Sequence, residues 1–365
     1  MRGRPTNATY TVREMGDVAP SQWDGWLRDS PGGGHVLQSY AWGEFKRRFG
    51  WRPMRLVLEK DGEVAGVGQF LLYNTVPVPG ALAYCSKGPW LPWGDEQAVR
   101  AFLEGAANAA ERSGAHTLKI EPEVDESNRD AKALLAGIGF RHARYALNFD
   151  TTVTLDLSRP EEELLANMRK STRYGVRKAA REGVEVVEPG DFEEAWRTFY
   201  SWMEDTAERK SGFTIRRPRG YLHDMMRTMH NAGQGHLFLA VHEGKPLAGV
   251  FVFDFGGKYW FMHGASSTEK RSYNPNHLLQ WEVMRWAKGR GIDYYDMVGI
   301  PKAEDRNEDD PYYGVYRFKI GFGGDVTDFV GCLDLPLKNT LAKAWYELEP
   351  AYYRLYYKLR GNVFY

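Results

Sequence analysis

The sequence predicts an α+β protein made of two tandem copies of one module, with the C-terminal segment returning to the first copy. Three observations carry this prediction. The chain has 365 residues, which is long for a single hydrophobic core and points to two domains. Residues 56–72, LVLEKDGEVAGVGQFLL, read as two strands joined at Asp61-Gly62, and residues 238–254, FLAVHEGKPLAGVFVFD, repeat the pattern with Gly244 in the turn. Downstream of each hairpin comes an amphipathic helix that runs into glycine and then a strand, over residues 99–122 around Gly114 and over residues 276–300 around Gly291.

The remaining elements follow in order. Met1 to Thr11 carries Arg2, Arg4 and Pro5 but no apolar core, so it reads as neither a signal peptide nor a membrane helix and is expected to be loose. The first domain is expected over residues 12–150, completed by about 322–365, and the second over 151–321. TTVTLDL, residues 151–157, reads as a strand, and Ser158 to Glu163 opens a helix whose acidic first turn suits the helix dipole. Leu164, Leu165 and Met168 mark its buried face, and the basic run from Arg169 either continues this helix or begins the next. The aromatic C-terminus, AWYELEPAYYRLYYKLRG, reads as a helix packing Trp345, Tyr352, Leu355 and Tyr356 onto a domain, with a membrane-surface role as the lesser reading.

Composition excludes several function classes. Hydrophobic content of 43% with 14% aromatic is that of a globular protein. Forty-eight basic residues balance 48 acidic ones, so any grip on nucleic acid must be a local patch. Three such patches stand out: Arg169, Lys170, Arg173, Arg177, Lys178 and Arg181; Lys46, Arg47, Arg48, Arg52 and Arg55; and Arg209, Lys210, Arg216, Arg217 and Arg219. Each by itself reads as a solvated face. Cys85 and Cys332 form no CxxC pair, and the nine histidines include no HExxH, so no metal or disulfide framework is expected and a reducing cytoplasm fits. No G-x-S-x-G elbow, no GxxxxGK[ST] loop and no glycine-rich pyrophosphate turn of the acetyl-CoA type is present. The order strand, strand, helix, strand is the layout of the GNAT acyltransferase fold, so the prediction becomes two tandem GNAT-like domains.

Five segments in order resemble the FemABX aminoacyl transferases: CSKGPW (Cys85–Trp90), KIEPEV (Lys119–Val124), LDLSRPEEELLANMRKSTRYGVRKAAREGVEV (residues 155–186), YYDMVGI (Tyr294–Ile300) and YRFKIGFGGD (Tyr316–Asp325). The resemblance runs from Gln38 to about Leu359. It implies an enzyme that moves an amino acid from aminoacyl-tRNA to the side-chain amine of a peptidoglycan precursor, either UDP-MurNAc-pentapeptide or its lipid-linked form, without metal or organic cofactor. A cytoplasmic monomer is expected, with access to the inner membrane face. Only a short segment separates Tyr221 from His236, so this chain resembles the members that lack a helical tRNA-holding arm. Two other readings share parts of the pattern. An acyl-CoA-dependent tandem GNAT N-acyltransferase lacks its pyrophosphate loop here, and a non-enzymatic precursor- or RNA-binding module leaves the retained Phe318-Lys319 pair unexplained.

The resemblance also implies roles for individual residues. Aminolysis of an ester builds negative charge on the former carbonyl oxygen, and Lys319 matches the position that stabilises it, with Phe318 holding the acceptor end. Lys46 and Arg217 match a pair that binds the precursor diphosphate, and Tyr221, four residues after Arg217, shares its face if both are helical. His263 stands where the family often has tyrosine. Glu121 stands beside the expected precursor, where a carboxylate accepts a proton from the attacking amine, caps a loop or pairs with Lys119. His116 stands at an expected aromatic precursor contact, with a surface histidine as the simpler reading. Apart from the resemblance, Arg169, Arg173 and Arg177 recur every four residues and form the expected tRNA-docking stripe, the competing readings being that they hold the muropeptide or pair with Glu161 to Glu163.

Overall fold

A computed structural model describes residues 9–146, 148–209, 215, 217–308 and 313–365. The chain runs β1 (Tyr10–Met15), α1 (Pro20–Asp29), α2 (Tyr40–Arg47), β2 (Arg52–Lys60), β3 (Glu63–Asn74), β4 (Ala81–Cys85), α3 (Glu96–Arg112), β5 (Ala115–Ile120), α4 (Arg129–Ile138) and β6 (Arg141–His142). It continues through β7 (Thr151–Asp156), α5 (Glu161–Asn167), α6 (Lys170–Arg181), β8 (Glu185–Val187), α7 (Phe192–Arg209), α8 (Arg219–Asn231), β9 (Gly235–His242), β10 (Lys245–Phe255), β11 (Lys258–Ser266), α9 (Pro275–Gly289), β12 (Tyr294–Asp296), α10 (Tyr313–Ile320) and β13 (Asp325–Asp328). β14 (Leu333–Pro336) and α11 (Asn339–Arg360) close it. Residues 1–8, within the segment expected to be loose, lie outside the described residues, and Tyr10 and Thr11 already belong to β1.

The chain forms two compact units, residues 1–147 with 329–354, and residues 148–328 with 355–365. Each is built on a seven-stranded mixed sheet, ordered β1-β2-β3-β4-β5-β14-β6 in the first and β13-β7-β12-β11-β10-β9-β8 in the second. Both sheets repeat one motif. A hairpin and a third antiparallel strand lead through a helix to a strand parallel to the third: β2-β3-β4-α3-β5 in one unit, β9-β10-β11-α9-β12 in the other. The hairpin turns are alike at the level of single dihedrals. Asp61 and Gly62 have φ of 53° and 91°, and Glu243 and Gly244 have 51° and 74°. Two successive left-handed residues give the turn twist that matches a right-twisted strand pair, and glycine adopts it without steric cost.

The boundaries differ from expectation at two points. β13 pairs with β7, Asp325 opposite Thr154, and so carries the second unit on to Asp328. Leu355–Tyr365 also belongs with the second unit, because Arg217 holds its last residues by hydrogen bonds.

In the first core, Val99, Phe102, Leu103 and Ala106 of α3 cover Leu56, Leu58 and Phe70 of the hairpin. In the second, Leu279, Val283 and Met284 of α9 and Val176 and Ala179 of α6 cover Val250 and Val252 of β10. β10 is buried on both faces, since Gly249 lies against Phe199 of α7 and Phe251 lies close to Gly235 beside Met229 of α8. Full burial of each large apolar side chain contributes about 1.5–3 kcal/mol, which explains the near-continuous run PLAGVFVFDF. The C-terminal helix departs from expectation in one residue: Trp345 is buried, but Leu355 is 54% exposed.

Candidate active site

In the second unit a cavity of 540 Å3 opens beside α10 and is lined by Phe149, Phe261, His263, Gly299, Phe318 and Lys319, among others. Three residues singled out in the sequence, His263, Phe318 and Lys319, are thus brought together. Lys319 is only 8% exposed. Its Nζ donates to the carbonyls of Val298 at 3.0 Å and Gly299 at 2.9 Å and lies 5.7 Å from the Phe261 ring centre. An ammonium has three N–H groups, so one is left for a ligand in the cavity. Burial pushes the Lys319 ammonium down to about 8, against the opposing pull of the Asp296 carboxylate. Phe318 stands edge-on to His277 and Phe322, with ring centres 5.3 and 5.2 Å away. Burial, helped by the charge of Arg217, pushes His263 down to about 4, so its imidazole is neutral at pH 7. A cation and a neutral imidazole in one largely apolar cavity can stabilise a developing oxyanion and hydrogen-bond a reacting group without competing for charge.

The carbonyls that hold Lys319 come from a turn after β12. The Asp296 carboxylate accepts the Val298 N–H at 2.6 Å and the Thr152 hydroxyl, and Met297 N–H bonds to Val153 O at 2.8 Å. The segment YYDMVGI was legible as a block, but the roles of Asp296, Val298 and Gly299 were not. The left-handed φ of 59° at Val298 is one that a β-branched residue rarely adopts, and nothing in the sequence signals it.

Arg217 lies before α8, whose N-cap is Pro218, so it does not share a helical face with Tyr221 as expected. The two meet nonetheless, with the guanidinium 4.5 Å from the Tyr221 ring centre. Arg217 also donates to Asn362 Oδ1 at 3.3 Å, to Val363 O at 3.0 Å and to the main-chain oxygen of Tyr365. A diphosphate at Arg217 therefore has to displace these acceptors. Arg219 stacks on Tyr200, at 5.0 Å. Lys210 and Arg216 lie outside the described residues.

Lys46, Glu121 and His116 belong to the first unit. Lys46, on α2, is buried with its Nζ 5.0 Å from the Trp51 ring centre. Arg55 of the same cluster is also buried, paired with Glu44 at 3.0 Å and Gln69 at 2.9 Å, while Arg47, Arg48 and Arg52 are exposed, so only part of this cluster is a solvated face. Glu121 is buried and accepts the Tyr84 hydroxyl at 2.5 Å. Lys119 pairs instead with Asp334 at 3.1 Å and Glu349 at 3.2 Å. His116 is fully buried, its ring nitrogens 2.7 Å from Thr75 Oγ1 and 3.0 Å from Thr117 Oγ1. Burial and the charge of Lys338 push it down to about 4. It is a core residue, not the precursor contact expected from the sequence.

The basic run begins a new helix, α6. Arg173 is not part of an open stripe, because its Nη1 donates to the carbonyls of Leu165, Ala166 and Met168 at 3.2, 2.6 and 3.0 Å. It closes the C-terminal end of α5, where carbonyls lack helical partners. Arg169, Lys170, Arg177 and Arg181 remain exposed, with the 56% exposed ring of Tyr174 between them. Arg169 N–H bonds to Gly321 O at 2.8 Å, so this face begins next to the end of the helix that carries Lys319. Among the described residues no group of three His, Cys, Asp or Glu side chains gathers as a metal site, and no helix is long and apolar enough to cross a membrane.

Comparison with known proteins agrees with this architecture. The chain is 26% identical to a lipid II:glycine glycyltransferase of Staphylococcus aureus (strain MRSA252), over 91% of this chain and 95% of that one. A crystal structure of FemX superposes with a TM-score of 0.83 at 24% identity, covering 92% of this chain and all of that one. A tandem GNAT protein from the clavulanic acid biosynthesis pathway superposes with a TM-score of 0.54 at 14% identity, over 90% and 99%. These likenesses show an α+β fold of two GNAT-like units. The profile of an acetyltransferase (GNAT) domain matches residues 166–319, the stretch that supplies the cavity lining apart from Phe149 and ends on Lys319. The profile of the FemAB family matches residues 19–241, more than half of the chain, and the chain belongs to that family.

Proposed function

We propose that this protein is an aminoacyltransferase of peptidoglycan synthesis, which moves an amino acid from aminoacyl-tRNA to the side-chain amine of a precursor stem peptide. The observation that carries this is the buried Lys319 ammonium, held by two carbonyls and facing a cavity that also holds a neutral His263. In the reaction the amine nitrogen attacks the ester carbonyl, an N–C bond forms and the C–O bond to the tRNA ribose breaks. The amine gives up a proton and the departing hydroxyl gains one, so no outside oxidant or reductant is required. Lys319 opposes the charge on the carbonyl oxygen as the tetrahedral intermediate forms. The exposed basic face of α6 supports tRNA as donor, since it starts beside α10 and offers Arg169, Lys170, Arg177 and Arg181 to a polyanion.

The name of the staphylococcal relatives, lipid II:glycine glycyltransferase, favours a lipid-linked acceptor over a UDP-linked one. The test is incubation with a charged tRNA pool and either muropeptide, with products read by mass. A gain of one aminoacyl residue that requires charged tRNA is expected. Transfer from acyl-CoA in place of charged tRNA sinks the proposal.

A further inference from the structure

Asp296 is 3% exposed and ends β12, between β7 and β11 in the sheet. Its carboxylate bonds both the Val298 N–H and the Thr152 hydroxyl. The segment after it is fastened again where Ile300 N–H meets Thr151 O at 3.0 Å. Between these ties Val298 takes the left-handed conformation, which a β-branched residue keeps only where the surroundings impose it. The result is that two successive carbonyls, Val298 and Gly299, face the same ammonium. Gly299 admits no side chain, since a Cβ there falls 2.0 Å from Cδ2 of Phe149, another wall of the cavity.

We infer that Asp296 is a positioning residue for the transfer reaction: it holds the strained Met297–Gly299 turn that aims Lys319 and sets a carboxylate charge against its ammonium. The inference rests on the function proposed for Lys319. Among the described residues, the charged or titratable groups that line the cavity beside Lys319 are His263 of β11 and Arg271, which precedes α9, while His277 of α9 stands against Phe318. His263 is neutral and Arg271 is a cation, so among the described residues Asp296 is the acid whose charge opposes burial at Lys319.

The test uses the full chain and two variants. Asp296→Asn retains an acceptor oxygen but removes the charge, and Thr152→Val removes one of its anchors while leaving the charge. For Asp296→Asn, kcat should fall tenfold or more with KM for charged tRNA and muropeptide unchanged, and the alkaline fall in kcat should move to lower pH. Competitive acetic anhydride labelling of Lys319, read by mass spectrometry across pH, should show its midpoint lowered by about one pH unit, as loss of an opposite charge requires. Thr152→Val should lower kcat several-fold without moving the labelling midpoint. An unmoved midpoint in Asp296→Asn overturns the inference. If that variant does not fold, an undiminished kcat in Thr152→Val overturns it. Labelling needs no turnover, so if the wild type proves inactive with every charged tRNA, the function fails while the Asp296–Lys319 coupling is still decided.

Discussion

Burial and function pull Lys319 in opposite directions. Its ammonium is held at about 8, below the ordinary 10.5 of a lysine, because burial strips it of solvent. Above pH 8 it loses the charge that the proposed mechanism sets against the oxyanion, so the transfer rate should fall through that range in the wild type. Lys319→Ala should lose about a hundred- to a thousandfold in kcat at pH 7 with precursor affinity retained, measured by product mass against time and by direct binding. The stability effect has a defined sign. Below pH 8 both folded and unfolded chains are protonated and the burial cost is fully present. Between about 8 and 10.5 the unfolded chain binds more protons, so folding stability gains as pH rises. In urea melts the stability of Lys319→Met relative to wild type should therefore decline across that window, by about 3 kcal/mol at most. Residues such as Lys319, Phe318 and His263 were legible because they sit in contiguous motifs. His116 was misread because its partner Thr75 is remote in sequence. Val298 was missed because the sign of φ is set by the tie to Asp296, not by valine.

At the scale of elements, the hairpins were legible because a two-residue turn is a local property of Asp61-Gly62 and Glu243-Gly244. The break between α5 and α6 was not, since Met168 and Arg169 are ordinary helix formers. Both are extended there, with ψ of 148° and 145°, and Arg173 reaches back to close the gap. That division of labour separates two arginines one turn apart. Arg173→Ala should cost about 1–3 kcal/mol of folding stability, because three carbonyls lose a charged donor. Arg177→Ala is exposed and should stay within about 0.5 kcal/mol of wild type. Arg177→Glu should instead raise the charged-tRNA concentration needed for half-maximal rate, more so at low salt. Urea melts and tRNA titrations at two salt concentrations check both. Equal stability losses at the two positions would remove the capping role from Arg173.

At the scale of the whole chain, the first unit is discontinuous, and its last pieces sit in its interior. β14 lies between β5 and β6, with Leu333 opposite both Ile120 and His142. Lys119 of β5 is nearly fully buried and takes its two acids from this late segment, Asp334 and Glu349, the latter 230 residues further on. No local pattern in LDLP or in the helix after it reveals that pairing, because the charges cancel only once the chain has returned. Taking the late segment away strips a strand from inside the sheet, removes buried Leu333 and Trp345, and leaves a lysine without its counter-ions. The last effect alone costs about 3–5 kcal/mol, against a total stability of about 5–15 kcal/mol for an ordinary domain. A chain ended after Asp328 should therefore lose the cooperative unfolding of the first unit and be cut rapidly within residues 9–146 by limited proteolysis. A chain ended after Arg354 keeps β14, Asp334 and Glu349 and loses only the tail that holds Arg217. It should retain that protection. If both truncations resist proteolysis equally, the late segment is not what completes the first fold. If both succumb, Leu355–Tyr365 matters to the first unit in a way its contacts with Arg217 do not account for.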